Sequence, residues 1–220
     1  MLPGLGLIVR GKRWRFPQRT LYGTIDLEKQ GKNRAGQRHG PASLPTLPEL
    51  RQAPIMEPIA ILAVGGTIDK VYFDAKSEYE VGPPNIEKVL AELTLAIDYT
   101  VTSLMRKDSL DLTDEDRRLI VRAAAEAPAT RVLITHGTDT MILTARLLRQ
   151  VVGKTIVLTG AMEPALFKTS DAVFNIGCAL AAVQALPAGV YIVMNGRIFS
   201  EGTVRKNLNR GRFEEIGTDD

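Results

Sequence analysis

From Met56 onward, short runs of apolar and β-branched residues alternate with longer segments whose apolar positions recur every three or four residues. The short runs "IAILAVGG" (59–66), "IDYTVTSL" (97–104), "RVLITHG" (131–137), "KTIVLTG" (154–160) and "GVYIVMNG" (189–196) predict strands. Between them, "PPNIEKVLAELT" (83–94), "TDEDRRLIVRAAAEA" (113–127), "DTMILTARLLRQVV" (139–152) and "SDAVFNIGCALAAVQAL" (170–186) predict helices. Proline stands near the start of the first of these. Thr113 followed by acids reads as the N-cap of the second. Strands joined by helices of this length build right-handed βαβ units. The expected fold class is therefore α/β, a doubly wound parallel sheet with helices on both faces. Cys178, in the middle of an apolar helix, is expected as a small buried hydrophobe.

Residues 1–55 have no such period. "RGKRWRFPQR" and "KQGKNRAGQRHGPASLPTLPELRQAP" are rich in Arg, Gly, Pro and Gln, which predicts a disordered extension. This part holds 10 Lys/Arg against 3 Asp/Glu, leaving 18 against 22 for residues 56–220. The net charge of +3 thus conceals a basic arm and an acidic body. The acidic body argues against nucleic-acid binding by the folded domain. For the arm, the open alternatives are a mitochondrial transit segment, a nucleic-acid or membrane-surface arm, and an extension without function.

No stretch is long and apolar enough for a membrane span. One cysteine excludes an intrachain disulfide and points to a reducing, cytoplasmic compartment. With only His39 and His136 beside it, no His/Cys cluster is available for structural zinc, so neither metal nor cofactor is expected.

In sheets of this kind ligands bind outside the carboxyl ends of the strands, near the point where strand order reverses. Three polar clusters occupy that position: "GGTID" after the first strand, "RKDSLD" after the second and "HGTDT" after the third. Gly65 and Gly66 allow a sharp turn or a close backbone approach and leave Thr67 displayed. Thr138 adjoins Asp139, and Lys206 stands just beyond the last strand. A hydroxyl becomes a nucleophile only when something takes its proton. Two Thr, an Asp and a Lys therefore suit acyl or amide chemistry without metal.

Taken in order, "AVGGTID", "SEYEVG", "KDSLDLTDED", "THGTDTM" and "VMNGRIFSEGTVRKN" resemble the amino-terminal domain of the bacterial-type L-asparaginases, which convert asparagine to aspartate and ammonia. The resemblance implies that Thr67 is the primary nucleophile and that Tyr79, on a lid loop, supports it. It implies a second group of Thr138, Asp139 and Lys206. Ser109 and Asp139 would hold the α-carboxylate and α-amino groups of the substrate, with Gly66 and Gly137 lining the same site and their amides available to the oxyanion. His136 would be structural. The domain so defined spans 56–220, without the smaller second domain of the family. Leu110, where relatives carry a polar residue, then predicts a weaker hold on the amino group. Apolar surface left by the missing domain predicts a homo-oligomer. Two other function classes compete with an amidohydrolase acting on asparagine or another small amide: a regulatory binding module that has lost turnover, and a nucleic-acid-associated protein acting through its arm.

Overall fold

A computed structural model describes residues 57–73 and 78–217. The basic extension falls outside the described residues. Strand β1 (Ile59–Gly65) is buried along its whole length. Two-residue alternation sends Ile59 and Ile61 into one core cluster and Ala60, Leu62 and Val64 into the other. Beyond it come the hairpin strands β2 (Lys70–Phe73) and β3 (Glu78–Val81), helix α1 (Asn85–Ala91), β4 (Tyr99–Lys107) and α2 (Asp114–Glu126). The chain continues through β5 (Arg131–Thr135), α3 (Met141–Leu148), β6 (Thr155–Thr159), α4 (Ala172–Ala185) and β7 (Gly189–Met194). It closes with β8 (Arg197–Ser200), β9 (Val204–Asn207) and β10 (Arg212–Glu215).

The main sheet runs β4-β1-β5-β6-β7-β8. All its pairings are parallel except β7 with β8. Residues of α2 and α3, among them Ile120, Met141 and Leu148, pack on one face. Residues of α1 and α4, among them Ile86, Leu90 and Ile176, pack on the other. The doubly wound arrangement with helices on both faces is thus present. The chain winds from β1 outward to β4, then returns past β1 to β5 and proceeds the other way. The switch point lies between β1 and β5.

Several local expectations are corrected. Helix α3 begins at Met141, so Thr138 and Asp139 stand in the turn before it. The first helix is shorter than predicted and starts after Pro84. Thr113 does cap α2, in a reciprocal box with Asp116. The sheet is not purely parallel, because β8 adds an antiparallel edge. Two hairpins, β2–β3 and β9–β10, were not anticipated; they carry Tyr79 and Lys206. Cys178 is half-buried against the core rather than fully enclosed. Among the described residues no helix is long and apolar enough to cross a membrane.

Candidate active site

The loops after β1, β4 and β5 converge at the switch point because two glycines let their backbones touch. Gly66 has φ 90°, and a Cβ built there would lie 2.2 Å from the Cα of Gly137. A Cβ on Gly137 would lie 2.6 Å from both Cβ and Oγ of Ser109. Any side chain at either position would drive apart loops that carry Thr67, Ser109 and Thr138. Hydrogen bonds then lock the contact: the Gly66 amide donates to the Lys107 carbonyl at 2.9 Å, and Thr140 Oγ1 donates to the Ser109 carbonyl at 2.7 Å. The Gly66 amide is therefore occupied and not free for an oxyanion, which corrects that expectation.

Lys206 reaches this point from β9. Its Nζ donates to Thr138 Oγ1 at 2.8 Å and to Asp139 Oδ1 at 2.6 Å. Thr138 is buried, Lys206 half-buried and Asp139 exposed. With the ammonium donating to the Thr138 oxygen, that hydroxyl keeps its own proton to give away, and the cation sits where negative charge would develop on the oxygen. The structure thus brings Thr138, Asp139 and Lys206 into direct contact. Thr67, at the start of a 3-10 turn and half-buried, belongs to the adjoining loop and makes no hydrogen bond to this network. The Ser109 Oγ is buried with no partner, although it lies in the Gly66–Gly137 junction. Tyr79 sits in strand β3, paired across the hairpin with Tyr72, and not in a loop as expected.

Sequence reasoning overlooked Asp69, two residues beyond Thr67. Its side chain is buried and Oδ1 accepts the Asn85 amide at 2.7 Å, while Asn85 Nδ2 donates to the Ile68 carbonyl at 3.1 Å. The Thr67 turn is thereby tied to the start of α1. Burial pushes the Asp69 carboxyl up to about 6, against the pull of that amide. Its place inside "GGTID", an acid directly after the buried Ile68, was the available signal. His136 is fully buried and follows β5 directly. Its Nδ1 donates to the Gly137 carbonyl at 2.7 Å, so Nε2 is left to accept from Thr144 Oγ1 at 2.8 Å. Burial pulls the imidazole down to about 4. It is a neutral brace under the Thr138 loop, as its expected structural role requires. Among the described residues no group of three His, Cys, Asp or Glu side chains is arranged to hold a metal ion.

The domain that carries these loops has counterparts among known proteins. A family model described as asparaginase, N-terminal, matches residues 58–214. The chain belongs to the asparaginase family. A glutaminase-asparaginase of Acinetobacter glutaminasificans is 32% identical over 169 residues, covering 69% of this chain and 50% of that protein. A glutamyl-tRNA(Gln) amidotransferase subunit from Methanococcus maripaludis is 29% identical over 187 residues, covering 77% of this chain and 43% of that protein. Among solved structures, the thermostable L-asparaginase from Thermococcus kodakarensis superposes with a TM-score of 0.63 at 26% identity, over 72% of this chain and 51% of the other. The chain spans about half the length of the curated relatives it matches. What it shares with other asparaginase-family proteins is the domain holding the three converging loops.

Proposed function

We propose that this protein is an amidohydrolase that converts the side-chain amide of L-asparagine, or a related small amide, to the acid and ammonia. The observation that carries this reading is the Lys206 ammonium held against both Thr138 Oγ1 and Asp139 Oδ1 from a strand more than sixty residues away. Thr67 Oγ attacks the amide carbonyl, and its proton passes through the Thr138–Lys206–Asp139 group to the leaving nitrogen. Ammonia departs and an acyl ester remains on Thr67. Water then attacks that ester, releasing the acid and restoring the Thr67 hydroxyl. Tyr79 supports the nucleophile from β3. Ser109, whose buried hydroxyl has no partner, and Asp139 hold the substrate, with Gly66 and Gly137 shaping the floor between them. The lone Cys178 suits a reducing, cytoplasmic setting. Exposed Leu143, Leu147, Val173 and Phe174 suit a homo-oligomer.

The competing reading is a binding module of the same fold without turnover. Ammonia release from asparagine, glutamine and simple amides separates the two. Turnover should appear in the parent protein and fall about 100-fold or more in Thr67→Ala and in Thr138→Ala, the scale of a lost nucleophile or proton-transfer group. Both variants should keep the parent's melting temperature. Release that is absent from the parent, or undiminished in either variant, refutes the assignment.

A further inference from the structure

The hairpin that delivers Lys206 is held from a turn of the main sheet. Strands β7 and β8 are joined by Asn195 and Gly196, with φ 54° and 75°. Left-handed conformations at both positions are what a two-residue connection demands, and Asn-Gly meets that demand. This accounts for the backbone of Asn195 but not for its side chain. Asn195 Oδ1 accepts the amide of Phe213, 18 residues further on in β10, at 2.9 Å. Phe213 lies directly opposite Lys206 across the hairpin, so the two side chains share one of its faces. On that face Phe213 and Val204 are buried in the core, while the Lys206 ammonium goes on to Thr138 and Asp139.

The other end of the tie reaches the loop that Lys206 must meet. The Asn195 amide donates to Asn175 Oδ1 at 3.1 Å. Asn175, fully buried in α4, donates through Nδ2 to the Gly160 carbonyl at 3.1 Å and to Asp171 Oδ2 at 2.8 Å. Gly160 in turn is packed against His136, since a Cβ there would lie 2.3 Å from the His136 carbonyl oxygen. Thr138 follows in the same loop. Lys206 and Thr138 are thus referenced to one buried amide from opposite sides. Apolar packing of Phe213 and Val204 is non-directional and fixes a strand loosely along its own axis, whereas a hydrogen bond weakens once stretched beyond about 3.2 Å. The Arg197–Glu215 ion pair also joins β8 to β10, at 3.1 Å, but both side chains are more than half exposed. Pairs so exposed hold little.

We propose that Asn195 is a positioning residue for Lys206: its side-chain oxygen, by holding the Phe213 amide, sets the reach of the β9–β10 hairpin at which the ammonium meets Thr138 Oγ1 and Asp139 Oδ1 together. Asn195 acts through Lys206 and not on the reacting atoms. The consequence for turnover rests on the amidohydrolase reading; the consequence for Lys206 does not.

Two variants of the full chain separate the side chain from the turn. Asn195→Gly keeps the left-handed φ and removes the acceptor, and Gly-Gly is itself a favoured pair for this turn, so the hairpin is retained. Asn195→Asp tolerates the same φ and restores an acceptor oxygen. Lys206 is read directly by trace acetylation with acetic anhydride and peptide mass spectrometry, relative to the exposed Lys88. In Asn195→Gly the loosened ammonium should react about fivefold or more faster, and in Asn195→Asp at close to the parent rate. Ammonia release from asparagine is followed alongside. A misplacement of about 1 Å costs up to about 100-fold, so kcat should fall about tenfold or more in Asn195→Gly with KM within about threefold, and Asn195→Asp should recover it. Labelling of Lys206 that is unchanged in the glycine variant, or raised equally in the aspartate variant, overturns the proposal, as does faster labelling with kcat intact. Absence of ammonia release from the parent sinks the hydrolase reading, and the labelling alone then decides whether Asn195 positions Lys206.

Discussion

Asp69 and His136 impose opposite pH dependences on stability, and Asp69→Asn separates them. The Asp69 carboxyl is raised from 3.8 to about 6 by burial. Its charged form is therefore disfavoured in the folded protein. The cost is absent below pH 3.8, grows as pH rises to 6 and is fully present above, where two units amount to about 3 kcal/mol. His136 is lowered from 6.5 to about 4, again by burial. Its contribution is intact above pH 6.5 and is lost as pH falls towards 4, also by about 3 kcal/mol. Between pH 6 and pH 4 the two changes offset one another, so the parent protein's stability should vary little with pH on their account. Asp116, held near 2 chiefly by the Lys107 ammonium, titrates below this window.

Asp69→Asn keeps the side-chain shape and an oxygen for the Asn85 amide but removes the titration. Relative to the parent, the variant should lose ground as pH falls, with about 2 kcal/mol of the change expressed between pH 7.5 and 4.5. Urea unfolding at several pH values in that range, with m-values that agree between the proteins, gives the difference directly. Any fixed offset from the added NH2 group cancels in the slope. A difference that stays constant across the range, or that moves in the variant's favour as pH falls, refutes the account of Asp69 as a desolvated carboxylate.

His136→Gln should do the opposite, making the protein gain rather than lose stability relative to the parent as pH drops from 6.5 to 4.5 in the same unfolding experiment. Gly137→Ala should push a methyl group into Ser109 and displace the loop that carries Thr138, lowering stability by about 1–3 kcal/mol in thermal melts and turnover with it. Unchanged melting and activity would show that the three loops do not meet as tightly as described.

The period of the apolar residues was enough to reveal five strands and four helices of the sheet's core, because a parallel strand buried on both faces must read as an apolar run and its covering helices as a 3.6-residue pattern. The polar clusters at Thr67, Ser109 and Thr138 were legible for a related reason: side chains that hydrate or react interrupt that pattern at the strand ends. The two hairpins were not legible, since β2, β3, β9 and β10 are short and partly exposed and show little alternation. That Lys206 meets Asp139 across 67 residues was implied only by the family resemblance and not by spacing; that Gly66 rests on Gly137, or that Tyr72 and Phe167 flank Tyr79, no reading of the sequence showed. Those contacts depend on strand order and on how closely loops approach. Sequence spacing is blind to both, because the chain winds outward from β1 and returns before the site is closed.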